Sequence, residues 1–244
     1  MSPGTLYLIP AAIGDLKGGD QSSLVRATIP PATLAILQGL GEFAVENAKS
    51  ARAYLKAAGI RLPMQEVSIT EIGHAPRPED LKPLIAAMRA GRDVGVLSES
   101  GCPAVADPGA LLVRMAHEAS LPVTPLVGPS SLLLALMASG LDGQRFAFAG
   151  YLPMKEPQRA KAIRDLEARS RAARETQIAI ETPFRNQALY EALTATLQPA
   201  TRLALAIDLT LPSASNRMKT VAAWRREPTP LLARRQVVFL FLAA

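Results

Sequence analysis

Side chains that bind metals or form disulfides are scarce in this sequence of 244 residues, which contains one cysteine and two histidines. The single cysteine, Cys102, excludes a disulfide within the chain, and a lone thiol is typical of proteins in a reducing cytoplasm. Structural zinc sites usually need four Cys or His ligands, more than Cys102, His74 and His117 can supply. We therefore expect a cytoplasmic protein that binds no metal.

Long apolar runs and aromatic side chains are also rare. The longest apolar stretches, residues 132–138 and 237–244, are much shorter than the about 20 residues that a membrane-spanning helix needs. The N-terminal region lacks the basic segment followed by an apolar one that marks an export signal. Aromatic residues make up 5% of the chain and hydrophobic residues 49%, so the core must be largely aliphatic. The composition predicts a soluble globular protein of one large or two small domains.

Strand-like and helix-like segments alternate along the chain, which is typical of an α/β protein with mainly parallel sheets. A glycine-containing segment, residues 140–150, resembles a hinge. It predicts an N-terminal domain of residues 1–142 and a C-terminal domain of residues 143–244. The predicted strands are residues 6–9, 42–45, 66–72, 94–97, 123–126, 146–149, 176–180, 202–207 and 237–242.

Helical patterns fill the intervals between several of these strands. Residues 78–91, 157–174 and 186–197 are predicted helices. Another helix is predicted to begin at Asp107, whose side chain can cap it, with Pro108 at the first position, where a missing N–H costs nothing.

Two turns of small residues each follow a predicted buried strand. Residues 98–103 follow one strand, and residues 128–131 follow the next. Because Gly101 and Gly128 carry no Cβ, a ligand can approach the backbone there. Ligands of parallel sheets bind at the carboxyl ends of the strands, so the sequence predicts a ligand site at this edge.

These turns resemble motifs of the tetrapyrrole methylase superfamily, in particular its branch of ribosomal RNA small subunit methyltransferases I. The family pattern V-S-D-A-G-T-P-x-x-x-D-P-G aligns with LSESGCPAVADPG at residues 97–109, and its P-G-P-S-A aligns with VGPSS at residues 127–131. LYLIP at residues 6–10 with IGD at 13–15, FAFAGYLP at 146–153 and ETPFR at 181–185 agree in order and spacing. The resemblance covers nearly the whole chain. It implies two α/β domains with S-adenosylmethionine in the cleft between them, usually as a homodimer.

The resemblance also indicates which residues contact this cofactor. A Gly/Ser turn can hydrogen-bond the polar groups of an adenosyl ligand, and Val105 offers apolar surface for adenine. Asp15 stands where the family's cofactor loop has asparagine. Cys102 replaces the family's threonine and has no evident base beside it, so we expect packing or cofactor contact rather than nucleophilic chemistry. The expected cofactor-binding residues are Pro10, Ile13, Gly14, Ser98, Gly101, Cys102, Val105, Ala106, Ser130, Ser131, Leu132 and Glu181.

On the substrate side the chain departs from the family pattern. It has ENAK at residues 46–49 where the family has EDTR, and DLTL at 208–211 where the family has ELTK. It is also shorter than the usual family member. A divergent paralogue therefore fits the sequence better than a direct equivalent.

Candidate catalytic residues come from these same segments. A hydroxyl acceptor benefits from a general base, for which Glu46, Glu181 and Asp208 are candidates, and Lys49 can stabilise a developing oxyanion. Glu181 is equally compatible with a structural salt bridge. Arg185 is the candidate substrate-binding residue, because its planar guanidinium matches phosphate oxygens.

The positive charge of the chain is concentrated in its C-terminal part. Residues 151–244 contain 15 Lys and Arg against 8 Asp and Glu, whereas residues 1–150 contain 12 against 13. Clustered cations gain affinity for nucleic acid by releasing counterions, so the pattern indicates an RNA partner. An ordinary solvated helix is the alternative, since Lys161/Asp165 and Glu167/Arg171 stand four residues apart.

Together these features predict a methyltransferase that uses S-adenosylmethionine and acts on ribosomal RNA, at a ribose 2'-hydroxyl or a base. One alternative is a methyltransferase for a tetrapyrrole or another small molecule. The other is a catalytically silent protein that binds the cofactor or RNA.

Overall fold

The computed structural model of the chain describes residues 2–14 and 19–244. The chain divides into two compact units, Met1–Ser130 and Ser131–Ala244, called here the N-terminal unit and the C-terminal unit. This division lies before the helix Ser131–Ser139, whereas the boundary predicted between residues 142 and 143 lies after it. The helix belongs to the C-terminal unit because Ala135 and Leu136 pack in a core cluster with Ile178 and Leu240.

The N-terminal unit contains a parallel sheet of five strands in the order β3-β2-β4-β1-β5. Every connection contains at least one helix, which supplies the length that a parallel crossover needs. The strands are β1 (Leu6–Ile9), β2 (Glu42–Val45), β3 (Ser68–Glu71), β4 (Val94–Leu97) and β5 (Val123–Pro125). The helices are α1 (Gln21–Thr28), α2 (Pro31–Gly39), α3 (Ala48–Ala57), α4 (Pro78–Arg89) and α5 (Ala110–Glu118).

The start of α5 corrects one sequence prediction. The helix begins at Ala110, and its N-cap is Gly109 rather than Asp107. Gly109 has φ 126°, a backbone conformation that side-chain-bearing residues rarely adopt. Asp107 is thereby left outside the helix, and its carboxyl group is available for other contacts.

The C-terminal unit contains a second sheet of five strands, in the order β6-β7-β10-β8-β9. Its strands are β6 (Phe146–Tyr151), β7 (Thr176–Ile180), β8 (Arg202–Ile207), β9 (Ser215–Thr220) and β10 (Val237–Leu242). Its helices are α6 (Ser131–Ser139), α7 (Gln158–Ala173), α8 (Asn186–Thr196) and α9 (Val221–Trp224).

The expectation of mainly parallel sheets is wrong for this second sheet. β6 and β7 are parallel, but β7–β10, β10–β8 and β8–β9 are antiparallel. β8 and β9 are joined by residues 208–214, a loop shorter than the dozen or so residues that a parallel crossover requires. The chain therefore reverses directly between them.

The core of the C-terminal unit is built around Trp224. Its indole Nε1 donates to the Leu203 carbonyl over 2.8 Å, and its ring meets Tyr190 edge-on at 5.9 Å. Glu167 of α7 is also buried, at 4% exposure, and accepts from the Gln198 N–H at 2.8 Å and from the Thr201 hydroxyl. The spacing of four residues predicts a solvated ion pair between Glu167 and Arg171. The structure shows Glu167 buried instead. Among the described helices, none is long and apolar enough to span a membrane.

Candidate functional site

Three turns of the N-terminal unit meet at the carboxyl edge of its sheet. They follow β1, β4 and β5, which are neighbours in the sheet. The first two turns are joined by a pair of backbone hydrogen bonds between Ala11 and Gly101, of 2.9 and 3.1 Å. The second and third are joined by Cys102, whose thiol donates to the Pro129 carbonyl at 3.5 Å. The turns predicted separately from the sequence thus form one surface.

Close backbone packing holds this surface together. A Cβ placed on Gly128 would lie 2.4 Å from the Pro10 Cβ, so the first and third turns touch only because residue 128 is glycine. Ile13 is buried, at 3% exposure, and Gly14 has φ 89°. Asp15 lies outside the described residues.

The loop between β4 and α5 is tightly folded. Gly101, Ala104, Ala106 and Gly109 all have positive φ, at 73°, 65°, 56° and 126°. For alanine this is a sparsely populated conformation, and such residues often occur at ligand sites. The side chain of Val105 projects from this loop at 49% exposure, and Val127 before the third turn is 73% exposed. The site therefore combines backbone polar groups with apolar side chains that face solvent.

Three carboxyl groups lie beside these turns. Glu46 follows β2, Glu99 follows β4, and Asp107 precedes α5. Burial raises the pKa of Asp107 to about 6, assisted by the charges of Glu46 and Glu99, while a hydrogen bond with Ser98 acts in the opposite direction. Burial also raises the pKa of Glu46, whose side chain hydrogen-bonds that of Asp107. The Glu46 and Asp107 carboxyl groups can therefore share a proton.

His74 and Tyr54 complete this part of the site. The Nδ1 of His74 lies 2.7 Å from Glu46 Oε1, although the imidazole is otherwise exposed. The Tyr54 hydroxyl accepts from the Ala12 N–H at 3.2 Å, and burial raises its pKa to about 12, which keeps it neutral. A cavity of about 30 Å³ lies between Tyr54, Glu46 and the end of β4.

The sequence motifs did not predict Tyr54 and Asp107 as residues of this candidate site. Asp107 lies in the D-P-G motif, but its place before Pro108 favours a helix cap on sequence grounds alone.

Lys49 and Cys102 have different surroundings. Lys49 is exposed in the first turn of α3, two residues after the capping residue Asn47. Cys102 is half-buried, and burial raises the pKa of its thiol. A raised thiol pKa reduces the thiolate fraction, which supports a packing role over a nucleophilic one.

The other candidate residues belong to the C-terminal unit. Glu181 accepts from Arg185 at 2.6 Å and from the Thr182 N–H at 2.7 Å. Asp208 is paired with Arg235 at 2.7 Å; it also accepts from Ser213 and from the Gln236 N–H. Ser131 and Leu132 begin α6, where Leu132 packs against the core of the second sheet.

The carboxylates of the two units thus differ in environment. Both oxygens of Asp208 accept hydrogen bonds, and Oε1 of Glu181 accepts from Arg185 and from the Thr182 N–H. Glu46 and Asp107 face each other, and the His74 imidazole lies beside Glu46, so this pair of carboxyl groups can exchange a proton.

Comparison with known proteins identifies the family. The model for tetrapyrrole (corrin/porphyrin) methylases matches residues 28–221. Over 209 residues the chain is 31% identical to the ribosomal RNA small subunit methyltransferase I of Escherichia coli O157:H7, which covers 86% of this chain and 66% of that protein. Over 166 residues it is 34% identical to the protein of the same name from Xylella fastidiosa, which covers 68% of this chain and 55% of that protein.

A solved structure agrees in fold. The methyltransferase CobJ superposes with a TM-score of 0.63 at 18% identity, covering 100% of this chain and 95% of that one. The chain spans 55% to 66% of the length of the two relatives above. Because the family model covers most of the sequence and both relatives exceed 30% identity, the chain belongs to the tetrapyrrole methylase family.

Proposed function

We propose that the chain is an S-adenosylmethionine-dependent methyltransferase that acts on ribosomal RNA. The observation that carries this proposal is the meeting of three small-residue turns at one sheet edge, beside the carboxyl groups of Glu46, Glu99 and Asp107. Membership of the family supports methyl transfer, and the relatives named ribosomal RNA small subunit methyltransferase I support the RNA substrate.

The residues of the N-terminal unit fit this cofactor in charge and polarity. S-Adenosylmethionine has an apolar adenine, polar ribose and carboxylate groups, and positive charges on sulfur and nitrogen. Val105 and Val127 offer exposed apolar surface, the turns offer backbone polar groups, and the carboxyl cluster offers negative charge. When bound, the cofactor supplies a methyl group activated by its positive sulfur. Ser131, Leu132 and Glu181, which belong to the C-terminal unit, stay predicted cofactor contacts on the family motifs alone.

Glu46 is the proposed base. Its raised pKa makes the ionised carboxylate a better proton acceptor than an ordinary glutamate, and His74 can orient it. Lys49 is the proposed stabiliser of a developing oxyanion. Asp208 is a weaker candidate, because both of its oxygens already accept hydrogen bonds, and Glu181 is held by Arg185 through Oε1. Arg185 is proposed to contact RNA phosphate.

Cofactor binding and methyl transfer are separate tests of the proposal. Calorimetry should detect binding of S-adenosylmethionine and of its demethylated product, and labelled donor should transfer methyl groups to small-subunit ribosomal RNA or to small subunits. Absence of binding to both compounds at millimolar concentration would remove the basis of the proposal. Binding with transfer only to a carboxylated tetrapyrrole would reassign the substrate, and binding without any transfer would indicate a silent paralogue.

The role of Glu46, which follows β2, has a matched control at the start of that strand. Glu46→Gln should lower kcat, measured at saturating cofactor, about 10²- to 10⁴-fold, the usual contribution of a general base. Glu42→Gln removes a carboxylate from the start of β2, where Glu42 pairs with Arg92, and should leave kcat unchanged. Equal activities of the two variants would assign the base elsewhere.

A homodimer and a cytoplasmic location accompany the proposal. Leu133 and Met137 of α6 are 51% and 80% exposed, which supports an apolar contact between two copies. Sedimentation equilibrium should show a dimer that Met137→Glu weakens. A monomeric parent chain would contradict this part of the proposal.

A further inference from the structure

Phe184 is an unusually exposed aromatic side chain, with 80% of its surface open to solvent. It lies in the turn between β7 and α8, where Arg185 N–H donates to the Thr182 carbonyl at 2.9 Å. The neighbouring Arg185 side chain is fixed by Glu181 at 2.6 Å. Phe184 therefore lies on a short, hydrogen-bonded turn rather than on a long loop, and its exposed side chain is not part of the core.

Four connections of the second sheet share the edge at which this turn lies. The register pairs Tyr151 with Ile180, Ile180 with Val238, and Val237 with Ile207. The ends of β6, β7 and β8 and the start of β10 therefore meet there. Side chains distant in sequence are brought to the same edge.

Two more exposed apolar side chains accompany Phe184. Met154 is 60% exposed, and its sulfur contacts the Arg185 guanidinium. Leu231 is 78% exposed and belongs to the segment before β10. That segment is tied to the Phe184 turn, because the Arg234 N–H donates to the Pro183 carbonyl at 2.9 Å.

The charges around these side chains are positive. The nearby carboxylates are each neutralised by an arginine at this edge: Glu156 by Arg159, Glu181 by Arg185, and Asp208 by Arg235. Lys155 and Arg234 are exposed, and within the described part of the chain no carboxylate forms an ion pair with either. We call Phe184, Met154, Leu231, Lys155 and Arg234 together the Phe184 surface.

We propose that the Phe184 surface binds an unpaired segment of the substrate RNA, with one base stacked on the Phe184 ring and phosphates contacted by Lys155 and Arg234. Proteins that recognise single-stranded RNA combine aromatic platforms with cations in this way, since every base has a π-face and every nucleotide a phosphate. A second copy of the chain fits less well, because two such surfaces would oppose cations to cations. This inference rests on the proposed function for the identity of the RNA.

The test uses the full chain and a fluorescein-labelled single-stranded RNA of twelve nucleotides with mixed sequence. Phe184→Ala should weaken binding about 5- to 100-fold in fluorescence anisotropy, the range for removal of one stacked base. Phe146→Ala is the matched control, because Phe146 is 44% exposed on the same sheet but at the opposite end of β6. It should bind the RNA like the parent chain.

Two further variants separate stacking from charge. Phe184→Trp should retain affinity, and its fluorescence should be quenched by the RNA, whereas the buried Trp224 stays unaffected. Lys155→Gln with Arg234→Gln should make the dependence of log K on log salt shallower by about 0.7 for each phosphate that the variant no longer neutralises. Phe184→Ala should leave that slope unchanged.

The outcomes distinguish this inference from the proposed function. Equal RNA affinity of Phe184→Ala and Phe146→Ala, or no RNA binding by the parent chain, overturns the inference even if the parent methylates ribosomal RNA. Conversion of a dimer to a monomer by Phe184→Ala also overturns it, because the surface is then a protein interface. A parent chain that binds RNA through Phe184 but transfers no methyl group supports the inference while refuting the proposed activity.

Discussion

At the scale of single residues, Asp107 links protonation to stability. Its pKa rises from 3.8 to about 6 on folding, because burial disfavours the charged carboxylate. Between those values the folded chain holds more protons than the unfolded chain, so the free energy of unfolding should fall as pH rises. Asp107→Asn should flatten this decline, as measured by urea unfolding between about pH 4 and 7. The control is Asp165→Asn, which alters an exposed carboxylate paired with Lys161. Its free energy of unfolding should decline with rising pH as that of the parent does.

The same carboxyl group should affect the proposed cofactor. A cationic ligand binds an ionised carboxylate better than a neutral one, so affinity for S-adenosylmethionine should increase as pH rises through about 6. Calorimetric titrations at several pH values measure this effect. An affinity that is independent of pH in the parent chain would indicate that the ligand's charges lie away from Asp107.

The thiol of Cys102 should have a packing role that a serine can replace. Its thiol donates to the Pro129 carbonyl between two turns, a contact that a serine hydroxyl can reproduce. Cys102→Ser should therefore keep turnover and cofactor affinity within a few-fold of the parent. A decrease of several orders of magnitude in turnover at unchanged cofactor affinity would assign the thiol a direct chemical role.

At the scale of elements, the contact between the first and third turns depends on one glycine. Gly128→Ala would place a Cβ 2.4 Å from the Pro10 ring, so one of the two turns must shift. We expect a decrease of about 1–3 kcal/mol in the free energy of unfolding, typical of overpacking, together with weaker cofactor binding. Gly39→Ala is the matched control, because the added Cβ at the end of α2 meets no atom within 4 Å beyond its chain neighbours and the helix's own backbone. If both variants bind the cofactor equally, the turns do not need to touch.

Local sequence patterns predicted some elements to the residue. Thr176–Ile180, Arg202–Ile207 and Val237–Leu242 are strands with these same bounds in the structure, since each is a short segment rich in apolar and β-branched residues next to turn signals. Ser215–Thr220 was not predicted, because its sequence SNRMKT is polar and most of its side chains are exposed. A strand on a sheet edge needs little apolar surface, so hydrophobic patterning does not detect it.

The pairing of strands and the contacts between distant side chains could be predicted less well than the helices and strands themselves. The direction of β10 and its position between β7 and β8 depend on contacts between distant segments, which no local window contains. The three turns at the carboxyl edge of the first sheet could be predicted because family motifs and glycine positions mark them. The Glu46–Asp107 contact was not, because it joins segments that follow different strands and depends on where α5 begins.

At the scale of the whole molecule, the excess positive charge should affect RNA binding. Reversal of Arg169, Arg171 and Arg174 to glutamate should weaken RNA binding and leave cofactor binding unchanged, as expected from the charge of residues 151–244. The structure adds a necessary control: Arg169 pairs with Glu175 at 2.5 Å and Arg171 donates to the Ala244 carbonyl, so the triple variant must first be shown to fold. A folded triple variant that binds RNA like the parent, with a shallow salt dependence, would show that these arginines form only a solvated helix face and would favour the small-molecule methyltransferase.

The two edge strands of the second sheet also carry opposite kinds of side chain. β9 presents Arg217 and Lys219, which lie over the Trp224 ring at 5.1 and 5.6 Å and pair with Glu227. β6 presents Phe146, Phe148 and Tyr151, all at least 36% exposed. Charged side chains on an edge strand discourage another strand from adding to it. Consequently, the polar side chains that make β9 undetectable by hydrophobic patterning also protect this edge from aggregation. The double variant Arg217→Val with Lys219→Val should therefore form amyloid-like assemblies, which thioflavin fluorescence detects.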